Sequence, residues 1–136
     1  MKNIMMILAD QHHAGVMGCA GHPILKTPTM DSLAAGGVRF TNMFVTTSIC
    51  AASRASILTG LYERSHQFTF GTPPIAAKLT GESYPALLRK AGYRTGFIGK
   101  FGVKIERGER EKMFDFFVGI GRGPYLKKQK DGSLRH

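Results

Sequence analysis

Residues 4–9, Ile-Met-Met-Ile-Leu-Ala, form an uninterrupted apolar run that stops at Asp10 and Gln11. A run of this kind predicts a strand covered on both faces, as in a parallel sheet. Asp10 and Gln11 then lie at its carboxyl end, where open α/β sheets bind ligands. "GCAGHPILK" (18–26) predicts a loop. In "TPTMDSLAAGG" (27–37), Thr27 at the cap, Pro28 in the first turn and Gly36–Gly37 at the end predict a helix. The alternating "VRFTNMFVT" (38–46) predicts a second strand. Ser53 to Leu58 predicts the opening turns of another helix, with Ser53 as its cap. "YERSHQFTFGTPPIAAKLTG" (62–81) predicts a long loop broken by Pro73–Pro74. "ESYPALLRKAG" (82–92) predicts an amphipathic helix ended by Gly92, and "YRTGFIG" (93–99) the next strand. "FDFFVG" (114–119) predicts a short strand, and Asp131–Gly132 a hairpin turn between polar runs. The order strand, helix, strand, helix, helix, strand implies α/β layering with at least three mostly buried strands.

Length and composition narrow the class. A chain of 136 residues with 43% hydrophobic content predicts one domain with a real core and argues against disorder. No apolar run approaches the roughly 20 residues that span a bilayer. The start "MKNIMMILADQ" has a signal-like charge and apolar run but no small-residue cleavage site before Asp10. No signal peptide or membrane segment is therefore expected, and the compartment is left open. Net charge is +10. Residues 61–136 hold fifteen Lys/Arg against seven Asp/Glu, and residues 1–60 hold four against two. Such a surface attracts anions of many kinds. No nucleic-acid motif or interleaving of aromatic with basic residues accompanies the charge, so nucleic acid is not an expected partner. The two cysteines, Cys19 and Cys50, form no CxxC pair, which argues against a zinc ribbon. Their number alone permits a Cys19–Cys50 disulfide without supporting one.

The candidate chemistry is concentrated in "SICAASRASILTG" (48–60). A reactive cysteine needs an electropositive, partly exposed site, and a helix N-terminus with an adjacent arginine supplies one. Cys50 has both in prospect, with Arg54 one turn along. Free backbone amides at such a terminus also bind anions, and small residues at 51–53 allow close approach. A nucleophile facing an oxyanion is the functional expectation. A buried structural cysteine is the alternative that composition favours, since free cysteine is among the most buried residue types.

The stretch "CAASRASILTG" resembles the signature of type I, formylglycine-dependent sulfatases, in the alkaline-phosphatase-like superfamily. That signature has Cys, any residue, Pro or Ala, any residue, Arg, and a Leu-Thr-Gly ending. Cys50, Ala52, Arg54 and Leu58-Thr59-Gly60 match. "ILADQ" looks like the family's first metal-binding segment, and "GCAGHPILKTPTMDSLAAGGVRFTNMFVT" like the segment leading to the signature. "YPALLRKAGYRTGFIGK" looks like the segment that ends in the family's substrate lysine, and "FDFFVG" follows in the same order.

The resemblance implies a partial alkaline-phosphatase-like α/β fold, a mostly parallel sheet flanked by helices. It implies a sulfuric ester hydrolase in which a separate formylglycine-generating maturation enzyme oxidises Cys50. The hydrated aldehyde would attack the sulfur of a sulfate ester, carried by a small molecule or a sulfated glycan, in two-step covalent catalysis. Arg54 would steady the hydrated aldehyde and the oxyanion. Lys100 would hold sulfate oxygens. Asp10 and Gln11 would ligate a divalent cation, usually Ca2+, with Gln11 replacing a charged ligand by a neutral one. Where the family commonly reads Lys-Trp-His, this chain reads Lys100-Phe101-Gly102, so a histidine near the leaving oxygen is absent. The family's later cation ligands and its later histidine and lysine fall beyond residue 136. Residues 1–136 are thus expected to be the N-terminal part of a sulfatase catalytic domain, truncated and inactive in isolation.

Two functions compete with a sulfatase, and a third, a general nucleic-acid binder, rests only on charge and would need a steep salt dependence of duplex binding. A formylglycine-dependent phosphonate or phosphate diester hydrolase of the same superfamily would use the same Cys50, Arg54 and Lys100. A non-catalytic truncated product would at most bind anions. His12 and His13 are more simply polar loop residues than substrate contacts. His22 and His66 have no partner at metal-ligand spacing. Cys19 is most simply a small packing residue. "GIGRG" (119–123) lacks the lysine and the helix of a phosphate loop.

Overall fold

The computed structural model describes residues 2–120 together with 127–128 and 134–135. The chain folds as two compact units, Met1–Val45 and Thr46–His136.

In the first unit a 3-10 turn at Gly18–Ala20 packs on helix α1, Pro28–Gly36. Thr27 occupies the cap position, but its hydroxyl does not cap. It accepts the Gly18 amide at 2.8 Å and donates to the Asp31 carboxylate at 2.9 Å, which also takes the Cys19 amide at 2.7 Å. These bonds, the Thr27 hydroxyl foremost, hold the Asp31 carboxyl below its ordinary range. Gly18 fits here because a Cβ would stand only 2.3 Å from an Asp31 oxygen.

The strands expected over 4–9 and 38–46 do not form. Neither segment enters a ladder, and Met5, Ile7, Val38 and Phe44 are all exposed. An apolar run becomes a strand only when a neighbour completes its hydrogen bonds, and β propensity is mostly such context. Among the described residues of this unit no strand offers that partner.

The second unit carries the sheet and the core. Helix α2 spans Cys50–Thr59, α3 Glu63–His66, α4 Ala77–Gly81 and α5 Tyr84–Lys90. Strand β1 is Gly96–Gly99, α6 Glu109–Met113 and β2 Phe116–Gly119. β1 and β2 pair in parallel with Gly96 opposite Phe116 and Gly99 opposite Gly119. A parallel pair needs a crossover, and residues 100–115 with α6 provide it. A second, antiparallel pair joins β3, Lys127–Lys128, to β4, Leu134–Arg135. The turn expected at Asp131–Gly132 and most of "GIGRG" lie outside the described residues.

The core lies between α2, the β1–β2 crossover and the segment around Ile75. Ala55, Phe68, Ile75 and Met113 are at most 1% exposed. The expected long loop at 62–81 contains the two short helices α3 and α4, because Phe68, Ile75 and Thr80 are drawn into this core. Ile75 also donates its amide to Lys104 at 2.9 Å. The amphipathic helix ends as expected. Gly92, at φ +84°, lets its own amide reach Arg89 at 2.9 Å and the Tyr93 amide reach Leu88 at 3.0 Å. Among the described residues the buried polar side chains are matched. Glu109 takes hydrogen bonds from Lys112 at 2.6 Å and Thr80 at 2.7 Å, tying α6 to α4. The buried Thr95 donates its amide to the exposed Asp115 carboxylate, which also takes Arg89, each at 2.8 Å.

Candidate active site

The site is built on the first turn of α2. Ile49 is extended (φ −117°, ψ 127°), and its carbonyl accepts the Ser53 amide at 2.8 Å, the helix's first bond. Ile49 is therefore the cap and Cys50 the first helical residue. The helix begins earlier than the expected Ser53 start, and Ser53 lies inside it. The cause is packing: Ala51 and Ala52 are 4% and 0% exposed, so the residues before Ser53 are already pressed into the core. The small residues at 51 and 52 thus make contact with the core, and Ala51 also borders the cleft described below. Cys50 stands at the edge of that buried face and is exposed. Both cysteines are free thiols.

Four residues further, Arg54 projects from the same side of the helix as Cys50. Its Nη1 donates to the Lys100 carbonyl at 2.5 Å. Lys100 directly follows β1, at the carboxyl end of a parallel strand, where α/β folds assemble sites. The bond spans 46 residues of sequence. It joins three of the expected site residues, Cys50 and Arg54 through the helix and Lys100 through its main chain.

The turn bearing Lys100 is anchored by aromatic rings. Phe101 packs against Phe97 at 5.3 Å, Phe114 at 6.1 Å and Phe117 at 5.5 Å between centroids. The Arg110 guanidinium lies 4.6 Å above the Phe117 ring. A cleft of about 920 Å³ opens here, with Ala51, Phe68, Phe101, Gly102, Arg110 and Phe117 among its walls. Gly102 is at φ +68°, and a Cβ there would come 2.9 Å from Arg54 Cδ. With Arg54 in this position, any side chain at 102, including the histidine that the resemblance leads one to look for, would require a shift of the arginine stem or of the turn.

Sequence reasoning did not single out a serine–histidine contact beside the site. Ser56 Oγ and His66 Nε2 are 3.0 Å apart. The Phe68 amide donates to His66 Nδ1 at 3.0 Å, so Nδ1 is the acceptor and Nε2 carries the proton toward Ser56. A histidine in that tautomer cannot take the serine's proton, so the pair is a structural tie between α2 and α3. Burial pushes the His66 imidazole below its ordinary value, with Glu63 pulling partly the other way.

Asp10 and Gln11 belong to the first unit, on an exposed bend with Gln11 at φ +49°. Adjacent on the chain, they bring one carboxylate and one amide, whereas calcium takes six to eight oxygens. Among the described residues no three His, Cys, Asp or Glu side chains group to hold a metal. The described residues therefore do not by themselves fit the cation. Among the described residues no helix is long and apolar enough to cross a membrane.

The family model described as Sulfatase matches residues 2–133. The chain belongs to the sulfatase family. It is 37% identical over 106 residues to an N-acetylglucosamine-6-O-sulfatase of Bacteroides thetaiotaomicron, covering 76% of this sulfatase chain and 18% of the relative. It is 41% identical over 107 residues to human arylsulfatase A, covering 76% and 21%. The solved structure of BT4656 in complex with its substrate D-glucosamine-2-N,6-O-disulfate superposes with a TM-score of 0.72 at 30% identity, over 93% of this chain and 26% of that one. The fold is accordingly α/β and alkaline-phosphatase-like. The chain spans about a fifth to a quarter of the length of these relatives.

Proposed function

We propose that this protein is a sulfuric ester hydrolase acting through a formylglycine made from Cys50. The observation that supports it most is the exposed Cys50 in the first turn of α2, with Arg54 one turn on and bonded to the main chain of Lys100. Formylglycine at position 50 would supply a hydrated aldehyde as oxygen nucleophile. Arg54 would hold the developing oxyanion, a role suited to a guanidinium fixed by its own hydrogen bond. Lys100 would neutralise charge on the sulfate oxygens from the end of β1. Asp10 and Gln11 would contribute oxygens to a divalent cation, calcium on the resemblance, completed by ligands other than the described residues.

The substrate class is a sulfate ester. The sulfated glucosamine bound to BT4656 and the two sulfatase relatives bring sugar and aryl sulfates into consideration. Residues 1–136 are proposed as the N-terminal part of the catalytic domain, and the maturation enzyme as the partner that converts Cys50.

Co-expression with an active formylglycine-generating enzyme, followed by peptide mass spectrometry, tests this reading. Conversion of Cys50 is expected, with no corresponding product from Cys50→Ala. Unmodified thiol alone, while a control sulfatase in the same cells is converted, would overturn it.

A further inference from the structure

We propose that Gly102 is a positioning residue for Arg54: its missing side chain is the space through which the arginine stem reaches the main chain of Lys100. A Cβ on Gly102 would stand 2.9 Å from Arg54 Cδ, 3.5 Å from Nε and 4.0 Å from Lys100 Cγ. The first of these is closer than real Cβ contacts come. The atom it meets is mid-stem, and the far end of that stem is held by the 2.5 Å bond to the Lys100 carbonyl. A side chain at 102 therefore forces a shift, and with the stem held at its far end the expected shift carries the guanidinium with it.

Gly102 meets a second requirement at the same place, since φ +68° is a conformation that L residues with a Cβ adopt only at a cost. The two requirements are separable. Gly108 has a similar φ of +86°, but nothing lies within 4 Å of where its Cβ would be. An alanine at 108 is strained without touching anything; an alanine at 102 is strained and strikes Arg54. Asparagine tolerates the left-handed region better than alanine, yet it still carries the Cβ. If backbone conformation alone mattered, Gly102→Asn would be mild. If the contact with Arg54 matters, Gly102→Asn should disturb the arginine as Gly102→Ala does. The proposal concerns the same site as the sulfatase reading, and its importance for anion binding rests on that reading.

The test uses the 136-residue chain and two readouts. The first is the Nε–H resonance of Arg54, assigned by its loss in Arg54→Lys. It is expected to shift in Gly102→Ala and Gly102→Asn and to stay in place in Gly108→Ala. The second is a urea double-mutant cycle. The drop in midpoint caused by Gly102→Ala should shrink toward that of Gly108→Ala when Arg54→Ala removes the stem. An Arg54 resonance unmoved in both Gly102 variants would overturn the proposal. So would a Gly102→Ala penalty that is the same with and without the Arg54 side chain, including loss of folding in both backgrounds. Neither readout needs turnover or formylglycine. A sulfatase reading that fails by mass spectrometry therefore leaves this result intact, and the reverse also holds.

Discussion

The turn that carries Lys100 should depend on the ring pair Phe101–Phe114. Phe114 is 6% exposed and touches the rings of Phe97, Phe101 and Phe117 at 5.6, 6.1 and 5.8 Å. Phe114→Leu keeps the site apolar but removes ring edges from three neighbours. Lost burial and lost ring contacts together give a destabilisation of about 1–3 kcal/mol. With a urea slope of about 1–3 kcal/mol per molar for a small protein, the midpoint falls by an amount on the order of 1 M. The informative quantity is the coupling. The Phe101 and Phe114 rings meet edge to face, at an interplanar angle of 90°, and such pairs carry about 0.5–1.5 kcal/mol beyond their area. A cycle of Phe101→Leu, Phe114→Leu and the double variant should return a coupling in that range. Tyrosine fluorescence is a suitable probe, because the chain has no tryptophan and its four tyrosines all lie after residue 46. The signal therefore reports the unit that holds the site. Additivity within about 0.3 kcal/mol would refute the reasoning and leave the Lys100 turn anchored by something other than these rings.

Below neutrality the same unit should lose stability through His66. Its folded value lies under the ordinary 6.5, so the unfolded chain binds the proton first. Stability is then fully present above about pH 6.5 and falls as the pH drops from there toward the folded value. The urea midpoint should be lower at pH 5.5 than at 7.5, with a flatter profile in His66→Gln; equal slopes in the two proteins would contradict the burial argument. Asp115 and Glu109, held below the ordinary carboxylate range chiefly by the Thr95 amide and by Lys112, add a separate loss only at more acid pH. Calcium titration calorimetry on the 136-residue chain should show no tight site, given the two donors at Asp10 and Gln11; a tight single site would mean that donors elsewhere in the chain converge on them.

What could be read from the sequence followed from how local each signal was. Helices α1 and α5 carry their own punctuation, Pro28 and Pro85 in the first turns and Gly92 past the end, and they formed where those residues put them. The parallel pair β1–β2 formed inside the predicted segments, because Phe97, Phe101, Phe114 and Phe117 join the segments through one ring cluster. The runs at 4–9 and 38–46 have no such closure, since a ladder partner is a property of another segment and leaves no mark on the run itself. Ser53 shows the converse error. Its side chain suits a cap, but Ala51 and Ala52 are wanted in the core, and that demand moved the helix start back to Cys50.

The same distinction separates the parts of the site. Cys50 and Arg54 were visible as a spacing of four, because helix geometry alone puts those positions on one side. That Arg54 ends on the carbonyl of Lys100 was not visible, since the acceptor is main chain and any residue at 100 would offer it. The side chain of Lys100 attracted attention in the sequence, yet in the structure it is the lysine's backbone that fixes the arginine. Gly102 then changes meaning. In the sequence it marked a missing histidine. In the structure it is the position where a Cβ would stand 2.9 Å from the Arg54 stem, so that one of the two must shift. With the arginine tied to the strand end in this way, a side chain at 102 has to displace part of the turn or of the stem. On the proposal made above, the glycine is to be understood together with Arg54 as well as through the histidine it lacks.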